Sequence, residues 1–527
     1  MMGPSTGADE ISLHADVLVL GGGPAGTWAA LTAARAGATV VLADKGYCGT
    51  SGAAAASNNN VWYVENPAEY ERHFAERFVS GGYLSERDWT AALLERVVHQ
   101  LHLLGELGYP FPRKENGTPN YATLRGPDYM RFMRQQIRRA GVSILDHAPM
   151  LDLLRDQDEG RVTGARGVTR DGAPWRVTAA ATVVATGGCA FLGGALGTNV
   201  CTGDGHLAAG EAGVSFSGME FSNQYGLAAA FSSVTKGLPF VWASYSKEDG
   251  SEIAVEDEEA FVSVARVLVY EPVYAVFDRA TRDIERWLRS GQANAFLPYD
   301  RMGIDPFRER FPVGLRLEGT VRGTGGIRLT GRDCATGVPG LYAAGDAASR
   351  EPVVGGRSGG GSPNAAWAIV TGAWAGEAAS AFAASGGAAP RRRASPHATL
   401  QIADPDAARD VIEREVWSLR TNVFRDEAGL VSALRSLTDA SQVASTVTTG
   451  AALAQARSAS AMLYVARLAY TSALQRRESR ALHQRTDYPE RSGHLTHRQI
   501  IAGTDTLTVT AEEAAVAAIA IHEGTLT

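Results

Sequence analysis

The sequence predicts an α/β protein: a dinucleotide-binding βαβ domain, an α+β domain inserted into it, and a helical domain at the C-terminal end. Three observations predict it. A strand, a glycine turn, a helix and a second strand open the chain; two later apolar runs each end in glycine, as buried strands feeding ligand-facing loops do; and beyond about residue 390 apolar residues recur at helical spacing.

Taken in order, residues 16–20 are apolar and β-prone, 21–26 form a glycine turn, 27–36 are rich in alanine and 39–43 are apolar again. Residues 181–185 and 340–344 supply the later strands, so the nucleotide domain is discontinuous. Between them, residues 217–320 are richer in aromatic and charged side chains and carry an acidic stretch at 248–259, which predicts the inserted domain. The stretch 364–376 is uncharged but short of the roughly 20 apolar residues a membrane span needs, and reads as a buried helix. A segment rich in Pro, Ala and Gly near 385–396 reads as a linker, with Arg391 to Arg393 a solvated run inside it. Leu430, Leu434 and Leu437, then Leu463, Tyr470 and Leu474, fall at helical spacing after the linker. The expected domains are 1–217 and 323–390 for the two parts of the nucleotide domain, 218–322 for the capping domain and 391–527 for the helical one. No repeat of fixed period speaks for a solenoid or propeller.

A length of 527 residues accommodates about three domains, and 45% hydrophobic with 20% charged residues is the balance of a folded globular protein. The net charge of −7 points to no particular partner, and the lack of a basic stripe argues against a nucleic-acid one. Cys48, Cys189, Cys201 and Cys334 form no close pair, which speaks against a cluster or a structural zinc and for reduced thiols in a cytoplasm. The first residues lack a basic segment followed by an apolar one, so no secretory signal and no membrane association are expected.

The strongest local signal is Gly21-Gly22-Gly23-Pro24-Ala25-Gly26 between a strand and a helix, followed by Asp44 and Lys45 at the end of the second strand. Gly21 permits the tight turn, Gly23 lets backbone approach a pyrophosphate, Gly26 lets helix and strand pack closely, and Asp44 can accept from ribose hydroxyls. Ala185-Thr186-Gly187 and Ala344-Gly345-Asp346 each bring a strand end and small residues toward one ligand, and an Asp there can hold a ribityl chain. So long a ligand is FAD rather than NAD. With no second complete glycine fingerprint, electrons are expected to come from the substrate or a separate donor or acceptor.

These segments, with Thr50-Ser51-Gly52, Thr202-Gly203-Asp204-Gly205, Gly325-Gly326-Ile327, the Gly356 to Ser362 run and the stretch from Ser479-Arg480 through His483 to Glu490, give the chain a resemblance. It resembles the flavoproteins that include succinate dehydrogenase, fumarate reductase, aspartate oxidase and adenylylsulfate reductase. The resemblance implies a glutathione-reductase-type FAD-binding Rossmann domain with a capping domain over the flavin. Members with covalent FAD carry a His after the residue matching Ser51, where this chain has Gly52, so non-covalent FAD is expected. The succinate-type members place substrate-binding histidines where this chain has Val321-Arg322 and Asn223-Gln224-Tyr225, which departs from dicarboxylate specificity.

Arg357 matches the arginine that grips a substrate carboxylate in the dicarboxylate members, and its fork of donors suits a planar anion. Ser362-Pro363 would begin a helix whose positive end faces the flavin. Arg322 reads equally as a proton-handling residue or as half of a structural ion pair, and His483 as a substrate or proton ligand or as packing. No histidine shows metal-ligand spacing, so no metal is expected. Capping-domain loops at 221–242 and 270–279 are expected to line the pocket. The expected activity is hydride transfer between flavin N5 and a small carboxylate- or carbonyl-bearing substrate. The alternatives are oxidation of an amino-acid-like amine or other nitrogen compound, an electron-transferring subunit of a larger complex, and a non-catalytic flavin binder; a homo-oligomer is compatible with all of them.

Overall fold

The computed structural model describes residues 10–156, 158–235, 237–255, 260–357, 362–386, 395–396, 400–447 and 449–513. The basic run Arg391 to Arg393, the end of the acidic stretch and the glycines after Arg357 lie outside the described residues.

The first strand, Ile11–Leu20, lies between Val40–Ala43 and Pro174–Val184 in an eight-stranded sheet and runs parallel to both. Its second half, from Val17, is sealed on both faces, as a parallel strand covered by helices must be. It starts five residues before the apolar run, because Ile11 to Ala15 continue the ladder against Trp175 to Ala179 after Val40–Ala43 has ended. Besides the first strand, Pro174–Val184 serves two partners on its other edge. Its first half pairs antiparallel with Val162–Val168, and its last residues pair parallel with Leu341–Ala343. That second pairing brings the chain back into the nucleotide domain after the insertion.

The helix Pro24–Arg35 packs on Ser362–Ala384, the apolar stretch read as a buried helix. Their axes come close because a Cβ on Gly372 or Gly376 would stand only 2.4 Å from the carbonyl oxygen of Ala25 or Ala29 respectively. No helix among the described residues is long and apolar enough to cross a membrane.

The insertion forms an antiparallel five-stranded sheet in the order Gln224–Ala229, Phe311–Gly319, Val273–Val276, Ser244–Lys247, Glu252–Ile253. Helices Ala260–Leu268, Arg282–Gly291 and Ala293–Met302 complete the α+β cap. It has an aromatic core of its own, with Phe277 5.1 Å and Tyr299 4.8 Å from the Phe311 ring.

Leu430 and Leu437 are buried on the helix Glu427–Gln442, and Leu463 and Tyr470 on Gly450–Gln475. The C-terminal region is not wholly helical, however. A hairpin of His497–Ala502 and Thr508–Glu513 pairs with Phe216–Ser217, which in turn pairs with Gly326–Ile327. The β-branched runs in both hairpin strands favour this, and the hairpin clamps the two points where the chain leaves and re-enters the nucleotide domain.

Candidate active site

An elongated cavity runs along the carboxyl ends of the parallel strands, where open α/β sheets bind ligands. At one end the Asp44 carboxylate is buried and accepts from the Gly22 N–H at 2.5 Å, the Gly46 N–H at 2.7 Å and the Ser51 hydroxyl at 3.0 Å. These bonds aim its remaining lone pairs into the cavity beside the glycine turn. Gly21 has a φ of +106° and no room for a side chain, since its Cβ would lie 2.2 Å from the Ala185 carbonyl oxygen. A Cβ on Gly26 would stand 1.8 Å from Gly21 O, so Gly26 serves packing and is not in the cavity wall. Gly23 is the opposite case. Its Cβ would meet nothing within 4 Å, which leaves its backbone and the first N–H groups of Pro24–Arg35 open to an anionic group.

Lys45 reaches from the same strand end across the cavity wall. Its ammonium donates to Thr202 Oγ1 at 2.5 Å, Ser458 Oγ at 2.8 Å and Asp204 Oδ2 at 2.9 Å. Burial pushes the Asp204 carboxyl up, but Lys45 and the Ser458 and Thr202 hydroxyls outweigh it and hold the group below its ordinary range. Ser458 belongs to the C-terminal helix Gly450–Gln475, and its hydroxyl, which accepts from Lys45 and donates to Asp204 Oδ1 at 2.6 Å, ties that domain to the cavity.

Further along, the wall is made by Ser51 to Ala54, Ser57 to Asn60, Thr186, Gly187, Gly345, Asp346, Asn364 and Ala365. The two last stand in the first turn of Ser362–Ala384, so its N-terminal end abuts the cavity while Ser362 itself is not part of the wall. Asp346 receives a hydrogen bond of 2.6 Å from Arg350 Nη1. Burial raises its carboxyl, opposed by the charges of Arg350 and Arg322. The sequence reading missed Arg350, although an arginine four residues beyond the strand-end Asp346 was a readable signal; it also missed Asn58 to Asn60, a short polar strand with no pattern, and Tyr129 and Asn364, which lie within helices.

The capping domain meets the cavity at Arg322. Its Nε lies 3.4 Å from Glu318 Oε1, which also accepts from the Thr235 hydroxyl at 2.7 Å. Arg322 is therefore both half of an ion pair and part of the wall.

Other expected site residues lie elsewhere. Arg357 is half-buried but outside the wall; its carbonyl accepts from Thr324 Oγ1 at 2.8 Å, which ties it to the segment carrying Arg322. Thr50 is exposed, its hydroxyl turned back toward Tyr47 O, because the Tyr47 to Ser51 turn directs only Ser51 inward. His483 is fully buried away from the cavity, accepting at Nδ1 from Arg425 at 2.8 Å and donating from Nε2 to Arg476 O at 2.9 Å. Burial and then the Arg425 charge hold it well below the ordinary histidine range, and both ring nitrogens are spent on protein partners. Among the described residues, the capping loops at 221–242 and 270–279 do not reach the wall. Asn223 instead donates to Asn422 O and Leu482 O, both at 3.0 Å, and Tyr225 to Val416 O at 3.1 Å, so these residues dock the cap on the C-terminal domain.

The residues present fit FAD. Asp44 offers acceptors for a ribose, the open Gly23 backbone a place for a pyrophosphate, and Asp346 an acceptor for a ribityl chain, all along one cavity. Comparison with known proteins agrees. A family described as "FAD binding domain" matches residues 16–225, and one described as "Fumarate reductase flavoprotein C-term" matches residues 414–523. The flavoprotein subunit of 8-methylmenaquinol:fumarate reductase from Wolinella succinogenes is 26% identical over 92% of this chain and 88% of its own. An L-aspartate oxidase of Caulobacter vibrioides is 27% identical, over 90% and 93%. Among solved structures, a chain of E. coli quinol fumarate reductase superposes with a TM-score of 0.81 at 21% identity, covering 97% of this chain and 98% of that one. Adenylylsulfate reductase from Archaeoglobus fulgidus gives 0.77 at 17%, covering 96% of each. At these identities the superpositions speak for the fold.

Proposed function

We propose that this chain, which belongs to the FAD-dependent oxidoreductases of the succinate dehydrogenase and fumarate reductase flavoprotein type, transfers a hydride between flavin N5 and a carbon beside the carboxylate or carbonyl of a small polar substrate. The observation that carries this is Arg322, a permanent cation in the cavity wall at the junction with the capping domain. Bound FAD supplies the two-electron chemistry. Arg322 binds the substrate anion and orients the reacting carbon, with Glu318 fixing the direction of its guanidinium. As a cation it also favours the negative charge that develops on an enolate-like substrate. Arg357 acts through the Thr324 bond as a positioning residue for that segment.

FAD is held without a covalent bond. The wall segment from Ser51 to Asn60 contains no histidine, and burial pushes the Cys201 thiol up to about 12, which keeps it an unreactive thiol at neutral pH. Electrons pass to or from a separate partner, consistent with the single dinucleotide fingerprint. Four free, buried thiols suit the reducing cytoplasm.

A second reading, oxidation of an amino-acid-like amine, is favoured by the similarity to L-aspartate oxidase along most of the chain. Acid precipitation should release yellow FAD into the supernatant, and anaerobic addition of small carboxylates should bleach the flavin of the native protein but not of Arg322→Met. Peroxide release with an amino acid would select the second reading; bleaching by the same substrate at an unchanged KM in Arg322→Met would sink the role given to Arg322.

A further inference from the structure

Arg350 is buried between the two halves of the site that the function has to bring together. Its Nη1 donates to Asp346 Oδ1 at 2.6 Å, and its Nη2 reaches the carbonyl oxygens of Thr320 at 3.0 Å, Val321 at 3.3 Å and Gly323. Its backbone N–H donates to Thr324 O at 3.0 Å. Those carbonyls flank Arg322 on both sides. One guanidinium therefore spans the carboxylate at the flavin end of the cavity and the strap that carries the cation at the substrate end.

The chemistry requires an arginine there. A guanidinium is a planar fork with donors on separate nitrogens, so one nitrogen can serve a carboxylate while another collects carbonyls; an ammonium offers three donors from a single point. Besides Arg350, Asn364 Nδ2 donates to Val321 O at 3.1 Å, the N–H groups of Thr320, Val321, Gly323 and Thr324 donate to the Cys189, Glu318, Gly319 and Phe221 carbonyls, and the Thr324 hydroxyl donates to Arg357 O. Arg350 differs from these in reaching three of the strap's carbonyls from one side chain. In the run Gly323-Thr324-Gly325-Gly326 only Thr324 carries a side chain. Burial works against the charge of Arg350, and Asp346 is the anion that holds it.

We propose that Arg350 is a positioning residue that couples the two subsites: it holds the Asp346 carboxylate aimed at the FAD ribityl chain and, with the same guanidinium, sets the strap so that Arg322 faces the substrate. Its substrate half rests on the reading of Arg322 given above; its cofactor half does not.

Arg350→Lys and Arg350→Met separate the halves. FAD titrated into apo-protein gives the cofactor dissociation constant, and malonate titrated into the holo-protein, followed by the flavin absorption spectrum, gives that of a carboxylate probe. Lys keeps a cation beside Asp346 but cannot span to the carbonyls, so FAD should bind within about threefold of the native constant while malonate weakens roughly tenfold. Met loses both contacts, and both constants should rise roughly tenfold or more. Asp346→Asn in the Met background should add little further loss of FAD. A merely structural arginine would lower the melting temperature and leave both constants of the folded protein unchanged, which would overturn the proposal. Should Arg350→Met fail to fold, equal losses of FAD and malonate in Arg350→Lys would overturn it too. A native malonate constant in Arg322→Met would sink the reading of Arg322 and the substrate half with it, while the FAD titration of the Arg350 variants decides the cofactor half.

Discussion

Gly372→Ala should weaken FAD binding although the residue is outside the cavity wall. The added Cβ would stand 2.4 Å from Ala25 O and 2.9 Å from Ala25 Cα, and ordinary contact begins at 3.4 Å, so the two helices must part by about 1 Å. The obstacle is backbone and cannot rotate aside. Ala25 is pinned from the other side too: a Cβ on Gly345 would be 2.7 Å from Ala25 Cβ, so displacing the helix Pro24–Arg35 presses on the Gly345-Asp346 turn or opens the glycine turn. Overpacking of this kind costs roughly 1–3 kcal/mol, against a gain of about 1 kcal/mol from replacing a helical glycine with alanine. With an unyielding backbone the cost takes the upper part of its range, and a net destabilisation of about 1–2 kcal/mol is expected. If the displacement reaches the anion-binding turn, FAD affinity falls about tenfold, the equivalent of 1.4 kcal/mol. Urea unfolding of the apo-protein and FAD titration measure the two effects. Gly291→Ala, whose Cβ meets nothing within 4 Å at the end of a capping helix, should be neutral to slightly stabilising and is the control. A Gly372→Ala protein with native stability and native FAD affinity would show that the seam does not set the position of the glycine turn.

Burial raises the Glu351 carboxyl to about 8 from its ordinary 4.5, the Glu220 charge adding to the effect and Arg498 opposing it. The folded chain thus holds a proton that the unfolded chain releases between those values, and stability falls as pH rises through that window. Glu351→Gln should remove this slope, raising stability at pH 8 by up to about 4 kcal/mol and little at pH 4.5, as read by melting temperature across pH. Lys45→Met strands the Asp204 carboxylate with only hydroxyl partners; because the ammonium is 28% exposed, the cost is set at the low end for a broken buried pair, about 2–3 kcal/mol, and Lys45→Met with Asp204→Asn should recover about half in urea unfolding. His483→Gln keeps an acceptor for Arg425 and a donor for Arg476 O, and should leave the pH–rate profile between 5 and 8 unchanged, whereas His483→Leu should cost about 2 kcal/mol in stability. Loss of an ionisation from the rate profile in His483→Gln would show that it takes part in proton transfer.

Much of the cofactor site was legible in the sequence because its geometry is local. The turn Gly21 to Gly26 and Asp44 act within one βαβ unit, where spacing along the chain nearly determines spacing in space, and Gly345-Asp346 sits where a strand ends. The Leu430 and Leu463 sets were readable because helical burial follows a period of 3.6 residues. The terminal hairpin was passed over, since its partner Phe216–Ser217 is about 280 residues away in the chain and two short strands look like loop without it.

Motif matching named Arg357, Thr50 and His483 as site residues, and all three stand outside the cavity wall. Segment position is set by local pattern, but a side chain's direction depends on what packs beside it. Arg322 could equally have been an ion-pair partner or a wall residue, and only the meeting of Glu318, Asp346 and the cavity shows it to be both. Arg350 belongs to no motif, and only its spacing of four residues from Asp346 pointed to it. By itself the sequence determined the fold class and the FAD fingerprint, because those rest on short-range periodicity and on glycines that no other residue can replace. The tertiary structure decided which charges face the cavity and which are spent on one another, because a buried charge must find its partner wherever in the chain that partner lies.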